Sequence, residues 1–226
     1  MKGDQTIICD EVKTIAHQII NQILPRIIDS DRRFTISIAG ESGSGKTVLA
    51  RAVSLELTDR NVASVVLCQD DYFILPPLSN DQKRREDPAW LGPQAEVRLD
   101  VMDQNLLDAI TGKSEIEKPL VDYYANSIES ETVSLEGIKV VIAEGTYVSL
   151  LQNVDVRVFI EKSWQETLKN RLSRSRGKEV GDPFIEDVLS KEHVIIAAHR
   201  DLADFLVTRD DSVVEFGRSS RHETKE

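Results

Sequence analysis

The chain has 226 residues, 40 % of them hydrophobic and 30 % charged, so it can bury a full core without disulfide or metal staples and is not disordered overall. A formal charge of -11 opposes phosphate backbones and anionic lipid surfaces, which argues against nucleic-acid or membrane partners but leaves room for a small anion held by a local nest of amides. Cys9 and Cys68 have no metal-ligand spacing, no signal-like apolar stretch opens the chain, and no run approaches a membrane span, so the expectation is one domain over residues 1–226, cytoplasmic.

Periodicity predicts an N-terminal helix over 11–25, with Ile15, Ile19, Ile20, Ile23 and Leu24 on one face between Asp10-Glu11 and Pro25. Residues 35–39 read as a buried strand and 46–58 as a helix with Val48, Leu49, Ala52, Val53 and Leu57 toward the core. A second strand at 62–67 ends at Gln69-Asp70-Asp71-Tyr72-Phe73. From 74 to 98 the composition turns loop-like, with four prolines and a charged patch at 83–87. Residues 100–110 read as a helix that stops at Gly112. A third strand at 139–143 leads into Glu144-Gly145, and a fourth spans 154–160. Ser163 to Glu166 has the pattern of a capping box, opening a helix to about 173, and Asp182-Pro183 opens another. A short strand at 203–208 closes the set, leaving 215–226 as a loose tail. Strands alternating with helices imply an α/β fold, a mostly parallel sheet with helices on both faces.

Between the first strand and its helix lies Gly40-Glu41-Ser42-Gly43-Ser44-Gly45-Lys46-Thr47, which matches G-x-x-x-x-G-K-[ST]. The flanking strand and helix are the context this motif requires. Glycines let main-chain amides approach phosphate oxygens without a Cβ in the way, and the positive end of the following helix adds to the field. Residues 40–47 are therefore expected to hold ATP, with Lys46 on the β- and γ-phosphates and the Thr47 hydroxyl on Mg²⁺. A P-loop NTPase fold follows, but the loop alone does not separate a kinase from a switch or a motor.

Ligands of an open parallel sheet sit beyond the carboxyl ends of its strands. Asp70 and Glu144 fall there. Phosphoryl transfer needs a carboxylate for the acceptor hydroxyl's proton and oxygen ligands for Mg²⁺; Asp70 suits the first role, also reaching the metal, and Glu144 the second.

Gln69 to Phe73, Lys118-Pro-Leu-Val-Asp-Tyr123, Val140-Val-Ile-Ala-Glu144-Gly145 and the basic segment 171–178 follow one another as in the uridine kinase and phosphoribulokinase-type P-loop kinases. The chain resembles that family over about 34–210. The resemblance implies transfer of the ATP γ-phosphate to a hydroxyl of a small acceptor, with Asp70 activating the hydroxyl and Glu144 serving magnesium. It places Asp122 near the acceptor's hydroxyls, with Tyr72 and Tyr123 beside it; a turn role for Asp122 stays equally open. It makes 171–181 a mobile basic lid, in which Arg171, Arg176 and Lys178 match R-x-x-x-x-R-G-R with lysine for the last arginine. Arg171 and Arg176 would stabilise the transferring group, Arg171 would also meet the acceptor, and Lys178 the nucleotide. Uridine or cytidine is the leading acceptor; another riboside, a pantothenate-like acid or a sugar is the alternative. The family's aromatic before the motif aspartate and histidine after it are here Val121 and Asn126, and its D-x-P-x-A-x-D pattern is missing from the segment before Asp100. Trp90, Tyr123 and Tyr124 are the aromatics that could stack on a base. The reading from another class is a nucleotide-binding regulator, against which stands the lack of N-K-x-D. Oligomeric state is left open.

Overall fold

The segment FTISIAG forms β1 (Phe34–Gly40), and every residue in it is buried. Burial on both faces is the condition of a central strand in a parallel sheet covered by helices. The computed structural model describes residues 8–168 and 182–217, and β1 lies at the middle of its main sheet. Around it run β2 (Ser64–Cys68), β5 (Val140–Gly145), β6 (Val156–Ile160), β7 (Phe205–Val207) and β8 (Val213–Glu215), in the order β2-β5-β1-β6-β7-β8. All pairings are parallel except the last, β7 with β8. A separate antiparallel hairpin joins β3 (Glu115–Asp122) to β4 (Ser127–Ser134).

Alternation along the strands divides the core into two layers. Phe34, Ile36, Ile38, Val140, Ile142, Val156 and Val158 face α1 (Asp10–Asp29) and α2 (Lys46–Asp59). Ala39, Val141, Ala143, Phe159 and Leu206 face α4 (Leu99–Ile110) and the end of α5 (Pro183–Ala197) through Met102, Leu106, Ala109 and Ile196. No described helix is long and apolar enough to cross a membrane.

Three local expectations need correction, and one element was not foreseen. The first helix does not stop at Pro25 but continues to Asp29, burying Ile27 completely. Proline inside a helix forfeits one backbone bond, at about 3 kcal/mol. Burial of Ile23 and Ile27, together with Arg26 stacked 5.5 Å from the Phe34 ring and bonded to the Asp155 carbonyl, offsets that loss. The loop-like stretch 74–98 contains α3 (Pro77–Glu86), opened by a proline at its first turn. Asn80 is its one buried residue, so α3 has no apolar stripe for a sequence pattern to reveal. The β3–β4 hairpin gave no strand signal because Ile116 and Val121 alone are its buried apolar residues, amid charged neighbours. Residues 213–215, whose last member was expected to open the loose tail, form β8. The helix expected over 163–173 begins with a real capping box, Ser163 N and Oγ each 2.8 Å from Glu166 Oε2, but most of its length lies outside the described residues.

Candidate active site

Parallel register brings three strand ends together. Glu144 of β5 is level with Ile38 of β1 on one side and Cys68 of β2 on the other, so the 40–47 loop, Glu144 and Asp70 leave the same edge of the sheet. Gly45 sits at the N-cap of α2 with φ 99°, a left-handed conformation that favours glycine. It turns the chain so that the first amides of α2 face back over the loop, where a helix N-terminus favours anions. Ser44 Oγ is buried and has no hydrogen-bond partner, an orphan donor inside the loop that a phosphate oxygen would satisfy. Lys46 Nζ donates to the Glu41 carbonyl at 2.9 Å, which holds the ammonium against the loop.

The loop is clamped from outside as well. The buried Glu41 carboxylate accepts from Trp164 N at 2.6 Å and pairs with His193 Nδ1 of α5 at 2.7 Å, while Thr167 Oγ1 donates to the Ser42 carbonyl at 2.8 Å. Glu41 and Ser42 thus tie the phosphate loop to the segments on either side of 169–181. In the sequence Glu41 is merely an unspecified position of the motif.

Thr47 Oγ1 donates to Glu144 Oε1 at 3.1 Å. Glu144 is 2 % exposed, and burial first, then the nearby Asp70 charge, push its carboxyl above the ordinary range; the Cys68 thiol, Lys46 and Thr47 oppose this. Burial and these carboxylates likewise push the Cys68 thiol well up, so it stays protonated. Two carboxyl groups repelling each other beside a lysine are an arrangement that a divalent cation would relieve. Among the described residues no cluster of three or more His, Cys, Asp or Glu holds a metal by itself. A threonine hydroxyl and one carboxylate leave the remaining positions to waters and substrate phosphates, which is the habit of Mg²⁺. The donor set therefore fits that ion, with Thr47 and Glu144 to hold it.

Asp70 lies in a tight turn (Gln69–Tyr72) after β2, and its neighbours lock that turn. Gln69 Oε1 accepts from Tyr147 N at 2.6 Å, and its side chain fills the space over Gly145, where a Cβ would come within 2.3 Å of Gln69 Cβ. The glycine of the Glu-Gly pair is thus required by close approach. Asp71 is held structurally: it is buried, pairs with Lys118 at 2.9 Å and accepts from Val121 N, anchoring the hairpin under the turn.

Tyr72 is a correction to the expected acceptor contacts. It is wholly buried, its hydroxyl donates to Asn105 of α4 at 2.8 Å, and its ring belongs to the core. Asp122 behaves as a turn residue, its Oδ1 accepting from Tyr124 N and Ala125 N at the hairpin loop. Tyr123 is 43 % exposed and Tyr124 92 % exposed at that loop. Asn126, with φ 49°, accepts from Leu78 N. Trp90 is held by Asn80 through its indole N–H at 2.7 Å. Arg171, Arg176 and Lys178 lie outside the described residues.

Sequence reasoning missed a charged cluster beneath this edge. Arg84 of α3 donates through Nε to Glu96 at 2.6 Å and lies 3.6 Å from Glu192 of α5. Asn80 and the Gly92 amide complete the shell of Glu96. Burial is the main cause that lifts the Glu192 carboxyl to about 7, with Glu96 and Asp70 adding to it and Arg84 and Lys46 opposing. Glu192 thus lies within electrostatic reach of both Lys46 and Asp70. The long polar stretch 74–98 carried no period that would have pointed to it.

The profile described as "Phosphoribulokinase / Uridine kinase family" matches residues 35–204. The chain belongs to that family. Membership makes it a phosphotransferase whose phosphate donor is ATP. A bifunctional alpha-galactosidase/sucrose kinase AgaSK of Mediterraneibacter gnavus is 32 % identical over 198 residues, 83 % of this chain but 21 % of that protein. A uridine kinase of Ureaplasma parvum is 31 % identical over 145 residues, covering 62 % of this chain and 67 % of that one. Among solved structures, that of a possible uridine kinase from Bacillus stearothermophilus superposes with a TM-score of 0.64 at 16 % identity, covering 87 % of this chain and 98 % of the other. Phosphoribulokinase from Rhodobacter spheroides superposes at 0.57 with 11 % identity, over 78 % of this chain and 70 % of the other, and shares the fold.

Proposed function

We propose that this family member transfers the γ-phosphoryl group of magnesium-bound ATP to an alcohol on a small metabolite. The observation that carries the reading is the convergence at one sheet edge of the 40–47 loop, the Thr47–Glu144 pair and Asp70. The loop amides and Lys46 would bind and orient the polyphosphate, with Ser44 Oγ completing the cradle. Thr47 and Glu144 would hold Mg²⁺, which when bound neutralises charge on the transferring group. Asp70 would accept the proton of the attacking hydroxyl. Arg171 and Arg176 are assigned to the transferring group and Lys178 to the nucleotide, on the sequence pattern.

Two acceptor classes have support. Uridine or cytidine is favoured by the named uridine kinases among the relatives and by Tyr123 and Tyr124 exposed at the hairpin loop. A sugar is favoured by the sucrose kinase portion of a relative's name, and by position 121 being a valine with no ring to stack on a base and Tyr72 being wholly buried. Acceptor-dependent ADP release measured over nucleosides, sugars and polyols tests the kinase reading. The expected outcome is turnover with at least one alcohol, lost by about 10²-fold or more in Asp70→Asn, the scale of general-base catalysis. An Asp70→Asn variant that turns over like the parent removes Asp70 from the mechanism.

A further inference from the structure

The phosphate loop carries a negative charge of its own. Glu41 follows its first glycine, and the carboxylate is buried. A fixed anion beside a site built for anions opposes the ligand, and does so more strongly out of water than in it. Here each carboxylate oxygen is held by a donor from outside the loop, Oε2 by Trp164 N at 2.6 Å and Oε1 by His193 Nδ1 at 2.7 Å. Because a carboxylate only accepts, Nδ1 of His193 carries the hydrogen. The neighbouring carbonyls are occupied too: that of Glu41 accepts from Ser44 N and Lys46 Nζ, and that of Ser42 from Thr167 Oγ1. His193 does not owe its place to Glu41. Helix α5 is seated by Val188, Leu189 and Ile196, all buried, and by Phe184, whose ring centre lies 3.9 Å from the Arg85 guanidinium carbon. The imidazole is 46 % exposed, so its truncation opens no cavity in the core.

We propose that His193 is a positioning residue for nucleotide binding, which together with the Trp164 amide holds the Glu41 charge away from the polyphosphate and offsets it. The loop amides then meet the phosphates without a competing anion among them. Removing one member of such a pair leaves the other charge uncompensated, whereas removing both does not. The penalty on the ligand grows with its phosphate charge, which separates this role from that of a strut that only keeps the loop in shape. The inference rests on residues 40–47 being the ATP site, and deepens that reading by naming how the site's own carboxylate is kept from opposing the ligand.

The experiment is calorimetric titration of AMP, magnesium-ADP and magnesium-ATP into the parent, His193→Ala, His193→Asn, Glu41→Gln and the Glu41→Gln/His193→Ala double variant, with melting curves to establish folding. His193→Ala should raise the Kd for magnesium-ATP by about tenfold or more, and that for AMP by less than about threefold. His193→Asn, whose side-chain amide sits where Nδ1 does, should return the magnesium-ATP Kd to within about threefold of the parent. In the Glu41→Gln background the same His193→Ala change should move the Kd by less than about threefold, because no charge is left to hold. Should His193→Ala not fold, His193→Asn set against His193→Gln carries the comparison, since the glutamine amide reproduces Nε2 instead of Nδ1. Equal losses for AMP and magnesium-ATP, or a tenfold loss that persists in the Glu41→Gln background, show a strut and overturn the proposal. A parent that binds magnesium-ATP while His193→Ala binds it equally well overturns the proposal alone and leaves the kinase reading intact. A parent that binds no magnesium-ATP removes both.

Discussion

Glutamine at position 192 is expected to stabilise the fold, and to do so only at neutral and alkaline pH. The wild-type carboxyl is lifted from the ordinary 4.5 to about 7, chiefly because it is buried, and it is faced by Arg84 of α3, Glu96, Tyr147, Asp70 and Lys46. A carboxyl whose folded-state value is raised is protonated in both states at low pH. As pH climbs past 4.5 the unfolded chain ionises first, so wild-type stability declines until the folded form also ionises near 7. That displacement corresponds to about 3 kcal/mol, of which about 2.5 kcal/mol falls between pH 5 and pH 8. Glutamine does not titrate, and Arg84 keeps its 2.6 Å bond to Glu96, so no cation is orphaned by the change. Urea unfolding of parent and variant at the two pH values reads the effect directly. The free-energy gap should move in the variant's favour by about 2 kcal/mol on going from pH 5 to pH 8. A gap that is constant, or that moves the other way, would show that Glu192 is ionised throughout and that its burial costs nothing.

Gly145→Ala should lower unfolding stability by about 1–3 kcal/mol, because the new Cβ would meet Gln69 Cβ at 2.3 Å; thermal melts measure the loss, and turnover should fall with it as the Asp70 turn is displaced. Glu144→Gln should raise the Mg²⁺ concentration needed for half-maximal turnover by about tenfold or more. In the parent, that requirement should rise as pH falls, beginning at higher pH than for an ordinary glutamate, since the raised Glu144 carboxyl must lose its proton to hold a metal. A magnesium titration at two pH values that gives one activation constant would contradict this. Lys46→Ala should reduce turnover by about 10²-fold or more, read by ADP release in protein whose melting curve is unchanged.

The phosphate loop was legible because its chemistry is local. Glycine positions, a lysine and a threonine at set spacing, between an apolar strand and an amphipathic helix, state their purpose within about 25 residues. The strands at 34–40, 64–68, 140–145 and 156–160 were legible for a related reason: strands of a parallel sheet covered by helices are mostly apolar, and even β2, at the sheet edge and only partly buried, keeps the run Val65-Val66-Leu67. Asp70 and Glu144 followed from the rule that ligands sit at the carboxyl ends of parallel strands.

What stayed hidden is held by polar contacts between distant parts of the chain. Helix α3 and the β3–β4 hairpin have little apolar surface, and are fastened by Arg84 to Glu96 and Glu192 and by Lys118 to Asp71 and Glu131, pairs that no period reports. Tyr72 is expected beside the acceptor from the family resemblance and is a core residue, because the bond to Asn105 exists only once α4 has packed over the turn. Glu41 is a variable letter of a motif until His193 arrives from 152 positions away.

The order of residues thus determined the glycine-rich loop, the sheet and the edge at which Asp70 and Glu144 emerge, since main-chain geometry and hydrophobic alternation act over short separations. Tertiary packing alone decided which acids are anchors, which aromatic is core, and that Arg84 meets Glu96 and Glu192. Burial and electrostatic coupling depend on distances through space, and those come into being only when the chain has closed on itself.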